Sequence, residues 1–381
     1  MVEALCLVTP YPPGRFHLGG GGWVDRRLHA SLVEAGVDVS VVSVTGPSGA
    51  WEEGDIRGWS AGDVPLEVRG DRRALARVAA AMAVSTKPYL ACKFTAFPGW
   101  SEAADLLRKR TAGRPVVTSG WPPLLLAASA GVPVALHVAH NVDSVIASRH
   151  APRPLRLLGE VSRLRRLERS LLHVPAAVTT LSRSDGRRLA AWGIHSDPLP
   201  LPLMPVANRA SDVRSVGFIG KAGWPPNAEA LEVLLGPVHE ALTGLGSDVT
   251  FVLGGAGTEV HRDHPRVTRA GWVADLDDFY RGVGLIVVPR LGASTGVSIK
   301  VLEAVEHGVP AVVPESLASA IDPDGPWILA EDAPSTARSI AAWADGSTPA
   351  PEVAEWAALH PPSRTAAHLI ERLTNVGDAR S

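Results

Sequence analysis

The sequence predicts an α/β protein made of two doubly wound, Rossmann-like parallel-sheet domains. Three observations predict it. Short runs rich in Val and Ile alternate with helix-period segments in both halves, the pattern of βαβ units. In each half the first strand leads into a glycine-bearing stretch, the place where open parallel sheets take ligands. A proline-rich stretch within Ser196 to Ala210 separates the halves and reads as a stiff linker. The expected division is residues 1–205, residues 206–350 and a closing helical segment, residues 351–381, which could cross back onto the first domain.

A chain of 381 residues is too long for one typical core and suits two domains. Hydrophobic residues make up 46% and charged ones 20%, a globular balance, and a net charge of −2 gives no reason to expect nucleic acid. Two cysteines, Cys6 and Cys92, exclude a disulfide scaffold and a thiolate zinc site. The N-terminal residues carry Glu3 and no basic run, so they do not read as a secretory signal. The most apolar stretch, Leu124 to Leu136, is broken by Ser129, Gly131 and Pro133 and is too short to span a bilayer. A cytoplasmic location is the expectation.

Ala4 to Val8 reads as the first strand, and a long loop follows it, ending in Gly19, Gly20, Gly21 and Gly22. A helix from about Trp23 to Ala35 carries Val24, Leu28 and Leu32 on one side, and Gly36 stops it. Those glycines lack the G-x-G-x-x-G spacing, which argues against a nicotinamide or flavin site. Strands are expected at Pro115 to Thr118 and Pro133 to Val138, the latter leading into His137-Val138-Ala139-His140-Asn141. His137 and His140 point to opposite faces of such a strand and cannot jointly hold a metal. His140, at the carboxyl end, is the better placed of the two to reach a ligand. Arg149 to Leu172 reads as one arginine-rich helix whose basic side either is a solvated face or rests on anionic lipid.

In the second half Ser215 to Ile219 is a strand, Gly220 to Trp224 a loop, and Pro225-Pro226 opens a helix. Asp248 to Leu253 is another strand, followed by Gly254 to Gly257. The densest signal is Gly284 to Val313. A buried strand, Gly284 to Val288, leads into a small-residue loop, Gly292, Ala293, Ser294, Thr295 and Gly296. A helix with Ile299, Leu302 and Val305 in period follows, and then another strand. Exposed amides at that helix start suit an anion. Lys300 and Glu303, three positions apart, share one helix face near it, either as a phosphate-side cation with a hydroxyl-binding carboxylate or as a surface pair.

Other clusters carry less. Asp275-Leu276-Asp277 has a metal-binding D-x-D spacing but opens a helix, where acids are favoured anyway. His261, Asp263 and His264 lack a third strong ligand. No metal site is therefore expected. Neither G-x-S-x-G nor G-x-x-x-x-G-K-[ST] occurs.

Taken together, G-x-S-I-K-V-L-E-A-x-x-x-G-V-P-x-V-V at Gly296 to Val313, the early glycine loop, His140-Asn141, Thr180-Leu181-Ser182 and Gly220-Lys221-x-x-Trp224-x-Pro226-Asn227 resemble the retaining glycosyltransferases of family 4, which have the GT-B fold. The resemblance covers nearly the whole chain and is strongest from Val216 to Val313.

What it implies is a nucleoside-diphosphate sugar donor, UDP-linked for instance, bound in a cleft mostly by the C-terminal domain, with the N-terminal domain on the acceptor side. No cofactor is implied beyond that donor substrate. Lys221 and Lys300 would take the diphosphate and Glu303 the ribose hydroxyls. Gly292, Ser294, Thr295, Gly296 and Val297 would lie near the sugar, and Gly255 and Val273 would line the base. His140, Gly20 and Gly21 would reach in from the other domain. Lys221 stands in place of the family's arginine. The family's second basic residue is here Pro226 or Asn227, so Lys300 would complete the clamp. Thr295 stands where the family's Glu-x7-Glu pattern has its first glutamate.

Such a site stabilises a departing diphosphate without metal, and retention of configuration is implied by the resemblance alone. Two rivals remain open: a GT-B protein that binds a sugar nucleotide without transferring it, and a sugar-nucleotide epimerase on the same fold. The acceptor is unread. It could be a small molecule, a lipid-linked sugar or a glycan, and Trp51, Trp59, Trp100 and Trp121 either face it or belong to the core.

Overall fold

The computed structural model describes residues 2–13, 20–60, 62, 64–65, 68, 70–111, 113–206, 214–292, 295–349 and 351–378. It consists of two α/β units, each wound around a parallel sheet. One unit comprises Met1–Pro202 with Pro362–Ser381, and the other Leu203–Pro361.

The sheet of the first unit has eight strands: β1 (Ala4–Thr9), β2 (Asp38–Ser43), β3 (Gly49–Glu53), β4 (Ile56–Ser60), β5 (Val116–Ser119), β6 (Leu136–Ala139), β7 (Ala177–Thr180) and β8 (Ser196–Pro198). Their order is β3-β4-β2-β1-β5-β6-β7-β8, parallel except for the β3–β4 hairpin. Winding reverses between β1 and β5, so a crevice opens at the carboxyl ends of those two strands. β1 is buried on both faces, with Leu5, Cys6, Leu7 and Val8 fully enclosed, as a central parallel strand must be.

The second sheet is wholly parallel. It comprises β9 (Val216–Ile219), β10 (Phe251–Gly254), β11 (Val267–Gly271), β12 (Leu285–Val287), β13 (Ala311–Val313) and β14 (Trp327–Leu329), in the order β11-β10-β9-β12-β13-β14. Its reversal lies between β9 and β12. Phe218, Phe251, Leu285 and Val287 are fully buried in one core beneath it, each large side chain contributing roughly 1.5–3 kcal/mol.

Several expectations are corrected. Gly20, Gly21 and Gly22 are not loop but the first turn of the helix Gly20–Glu34. The Tyr11 hydroxyl accepts from Gly22 N at 3.0 Å and so satisfies one of the open amides of that turn. The arginine-rich stretch is three helices, Asp143–His150, Arg153–Leu157 and Glu160–Leu172. Pro152 and Pro154 interrupt it, and so does Gly159 at φ +77°. The linker expectation misses β8, which pairs with β7 and extends the first sheet. Trp51, Trp100 and Trp121 are buried.

The helix Val353–Ala358 lies in the second unit, while Pro362–Asp378 lies in the first. The latter packs against the helix Gly20–Glu34, with Ala366, Leu369 and Leu373 buried. Thr365 donates to the Pro200 carbonyl at 2.6 Å, and Arg372 pairs with Asp197. Among the described residues no helix is long and apolar enough to cross a membrane.

Candidate functional site

The reversal point of the second sheet gathers two cations around one amide. β9 runs into Gly220, whose φ of +149° turns the chain sharply. A Cβ there would stand 2.5 Å from Asn227 Nδ2 and 3.2 Å from Lys300 Nζ. The loop runs into the helix Pro225–Val233, which begins on two prolines and places Asn227 in its first turn. Asn227 Nδ2 donates to the Lys221 carbonyl at 3.0 Å, which fixes the amide and aims Oδ1 the other way. Lys300 Nζ donates to that Oδ1 at 2.7 Å and Arg290 Nη2 at 3.0 Å.

Neither cation is neutralised by this contact, because the partner is an amide. Lys300 is buried, and its ammonium lies 4.3 Å from the centre of the Phe218 ring. Burial holds its pKa well below the ordinary lysine value, Arg290 pushes it further down, and Glu303 opposes. Burial also brings Arg290 down to about 10, with Glu229 opposing. The Arg290 guanidinium lies 4.9 Å from the centre of the Trp224 ring, and its Nε is buried with no hydrogen-bond partner among the described residues. Ser298, at the head of the helix Ile299–Glu306, has a buried Oγ likewise unpartnered among the described residues. Cations and unused donors beside a helix N-terminus make a site for an anion.

One turn along that helix Glu303 accepts from the Tyr280 hydroxyl at 3.1 Å. Burial raises it to about 7, with Glu306 adding and Tyr280, His307 and Lys300 opposing. Gly255, at φ +116°, lies against the Gly220 backbone so closely that a Cβ would enter the Gly220 carbonyl. Val273 Cγ2 closes on Gly254, where a Cβ would come within 2.8 Å. Lys221 is exposed on the loop after β9. Gly292 and Thr295 to Val297 form the approach to the helix Ile299–Glu306, with Gly296 at φ +70°. Ser294, like Ala293 and Gly19, lies outside the described residues.

The first unit has a second cluster at its own reversal point. His140 follows β6, and its Nε2 lies 2.7 Å from Ser119 Oγ at the end of β5. Burial lowers its pKa to about 4, so the ring is neutral. His137, by contrast, is enclosed within the strand and bonded to Thr118 at 2.9 Å. A cavity of about 160 Å³ lies beside His140, lined in part by Gly120, Trp121, Asn141 and Asp143.

Residues 213–345 match the family model described as Glycosyl transferases group 1. Solved structures align with nearly the whole chain. One, the Anabaena protein HepE in complex with UDP and glucose, has a TM-score of 0.64 at 12% identity, covering 98% of this chain and 100% of that one. The α,α-trehalose 6-phosphate synthase of Burkholderia multivorans gives 0.62 at 13% identity, covering 100% of both chains. A glycosyltransferase from Rickettsia africae gives 0.59 at 12% identity, covering 98% of each. No curated protein matches the chain. The fold is that of the GT-B glycosyltransferases, and the second unit carries the group 1 glycosyltransferase pattern over its reversal point.

Lys300 and Glu303, expected from the sequence, lie on the one helix Ile299–Glu306, and Arg290, which was not expected, meets Lys300 on Asn227. The signal for Arg290 was there, a cation one residue beyond the proline that ends the strand Gly284 to Val288. Asn227, read as a departure from the family, is the residue on which Lys300 and Arg290 meet. The D-x-D acids are structural: Asp275 caps its helix by accepting from Asp277 N at 2.8 Å, and Asp277 pairs with His307 at 2.8 Å.

Proposed function

We propose that the chain is a retaining, family 4-type glycosyltransferase that moves a sugar from a nucleoside-diphosphate donor, UDP-linked, to a hydroxyl-bearing acceptor. The observation that carries this reading is a pair of cations, buried Lys300 and half-buried Arg290, meeting on Asn227 Oδ1 at a helix start. Cleavage of the donor's glycosidic bond develops negative charge on the diphosphate. Cations already aimed at that charge stabilise it more in the transition state than in the ground state, and one such group is worth on the order of 100-fold in rate.

In this reading Lys300 and Arg290 hold the inner phosphate oxygens and Lys221, exposed on the loop after β9, adds an outer charge. Glu303, ionised, accepts from the ribose diol. Gly255 and Val273 flank the base, and the Gly292, Thr295, Gly296 and Val297 backbone approaches the sugar. In the first unit, His140 with Gly21 beside it marks that unit's own reversal point. Lys and Arg supply the charge that a divalent ion supplies elsewhere, so turnover should survive EDTA.

The experiment is incubation with nucleotide sugars and candidate acceptors, with product analysis. A new glycoside that is lost in Lys300→Ala supports transfer. Diphosphate binding with no product from any donor supports a binding protein, and an isomerised or hydrolysed sugar nucleotide supports an epimerase.

A membrane contact is a separable proposal, favoured by one observation. Leu157 and Leu158 are 79% and 59% exposed, amid Arg149, Arg153 and Arg156. Apolar tips ringed by arginine suit an anionic bilayer surface. Cosedimentation with vesicles containing anionic lipid, lost in Leu157→Ser with Leu158→Ser, tests it.

A further inference from the structure

The cavity of about 160 Å³ beside His140 lies wholly within the first unit, where the chain leaves β1, β5 and β6 at Pro10, Gly120 and His140. Its space exceeds the ~10–15 Å³ that one water needs and falls short of the ~300–1,000 Å³ of pockets for larger ligands. One small ring fits that range. A wall of it is aromatic: Trp121, in the first turn of the helix Trp121–Ala130, lines the space. Trp121 is 9% exposed, and its Nε1 has no hydrogen-bond partner among the described residues. An indole N–H enclosed in this way calls for an acceptor.

The rest of the wall is polar and acidic. Asn141 and Asp143 enter it from the turn after β6, and Glu168 from the helix Glu160–Leu172. Glu168 is buried and spent on the chain, its Oε1 accepting from Asp143 N at 2.6 Å and its Oε2 from Ser144 N at 3.2 Å. The Asp143 side chain is half-buried and lines the cavity. Desolvation raises its pKa, Glu168 and Asp185 adding and Lys93 opposing. His140, whose pKa is lowered by burial, adds a donor and an acceptor but no charge.

We propose that this cavity is a subsite for one uncharged polyhydroxylated ring, a hexose or a cyclitol, held against Trp121 by hydrogen bonds to Asp143 and Asn141, and that it rejects the phosphorylated form of the same ring. Such a ring offers C–H faces to an indole and hydroxyls that both donate and accept. A carboxyl group takes the donated protons, while the Asn141 amide and the Trp121 N–H supply the complementary donors. A phosphate would have to enter beside Asp143 and Glu168, like charge against like charge in a space only partly open to water. That the ring is the acceptor of a glycosyl group rests on the function proposed above; its binding and its selectivity by charge do not.

Saturation-transfer NMR and calorimetry on the full chain, without any donor, test this with glucose, mannose and myo-inositol beside their monophosphates. At least one uncharged ring should bind, and its phosphate should bind at least about 10-fold more weakly, the cost of opposing like charges. Asp143→Asn should narrow that gap. Trp121→Phe, which removes only the N–H side of the indole wall, should weaken the uncharged ring; if it does not fold, Asn141→Ala takes its place. Binding of none of the probes, phosphates bound as well as the uncharged rings, or a gap unmoved by Asp143→Asn overturns the proposal. Selective binding with no turnover of any nucleotide sugar would sink the transferase reading and leave the subsite standing. Turnover without selective binding of an uncharged ring would do the reverse.

Discussion

Lys300 and Arg290 donate to the same oxygen, Asn227 Oδ1, at 2.7 Å and 3.0 Å. One neutral amide thus joins buried Lys300 and half-buried Arg290, two cations that repel each other, while carboxylates act on each only at longer range, Glu303 on Lys300 and Glu229 on Arg290.

Asn227→Leu removes that oxygen and leaves both cations without it. The second unit should lose about 2–3 kcal/mol of stability, the cost of stranding buried charged donors. UDP should return part of this in a thermal melt, because a ligand that binds only the folded state stabilises it. A melt unchanged by the substitution would mean that the shared contact carries little.

Glu303 makes the second unit pH-dependent. Burial raises its pKa from the ordinary 4.5 to about 7, so the fold favours the protonated acid. Its contribution to stability is fully present below about pH 4.5 and is lost as pH rises through about 7. Melting of the second unit should fall across that window, and Glu303→Gln should flatten the fall. Nucleotide affinity should run the other way, since the ribose diol needs the ionised carboxylate, and the same variant should weaken its pH dependence.

Gly220→Ala should be disruptive out of proportion to one methyl. The residue is held at φ +149°, and the new Cβ would strike Asn227 Nδ2 at 2.5 Å. Strain of about 1–3 kcal/mol is expected. Diphosphate binding should weaken in parallel, measured by calorimetry.

Removing residues 362–381 should destabilise the first unit and spare the second. Ala366, Leu369 and Leu373 would leave the face of the helix Gly20–Glu34. Each leucine is worth about 1.5–3 kcal/mol. Differential scanning calorimetry should show one transition moving down and the other unmoved.

The fold was legible because its signals are local. Val- and Ile-rich runs such as Leu285–Val287, each followed by a glycine turn and a periodic helix, state their own structure. Breaks within an apolar pattern were harder: the leucine stripe through Arg149 to Leu172 hides the stops at Pro152 and Gly159. Around the second unit's reversal point, the proximity of Lys300 and Glu303 was legible because they lie on one helix. Arg290 and Asn227 were not, because their meeting depends on strands that pair only when the sheet closes, β9 with β12.

The most direct test of the central claim is calorimetric titration of uridine, guanosine, thymidine and adenosine diphosphates into the wild type, Lys300→Met and Arg290→Met. One diphosphate should bind the wild type and lose at least about 10-fold in affinity in each variant, the share of a charge-assisted contact. Binding untouched by both substitutions, or no binding of any diphosphate to the wild type, would contradict the account.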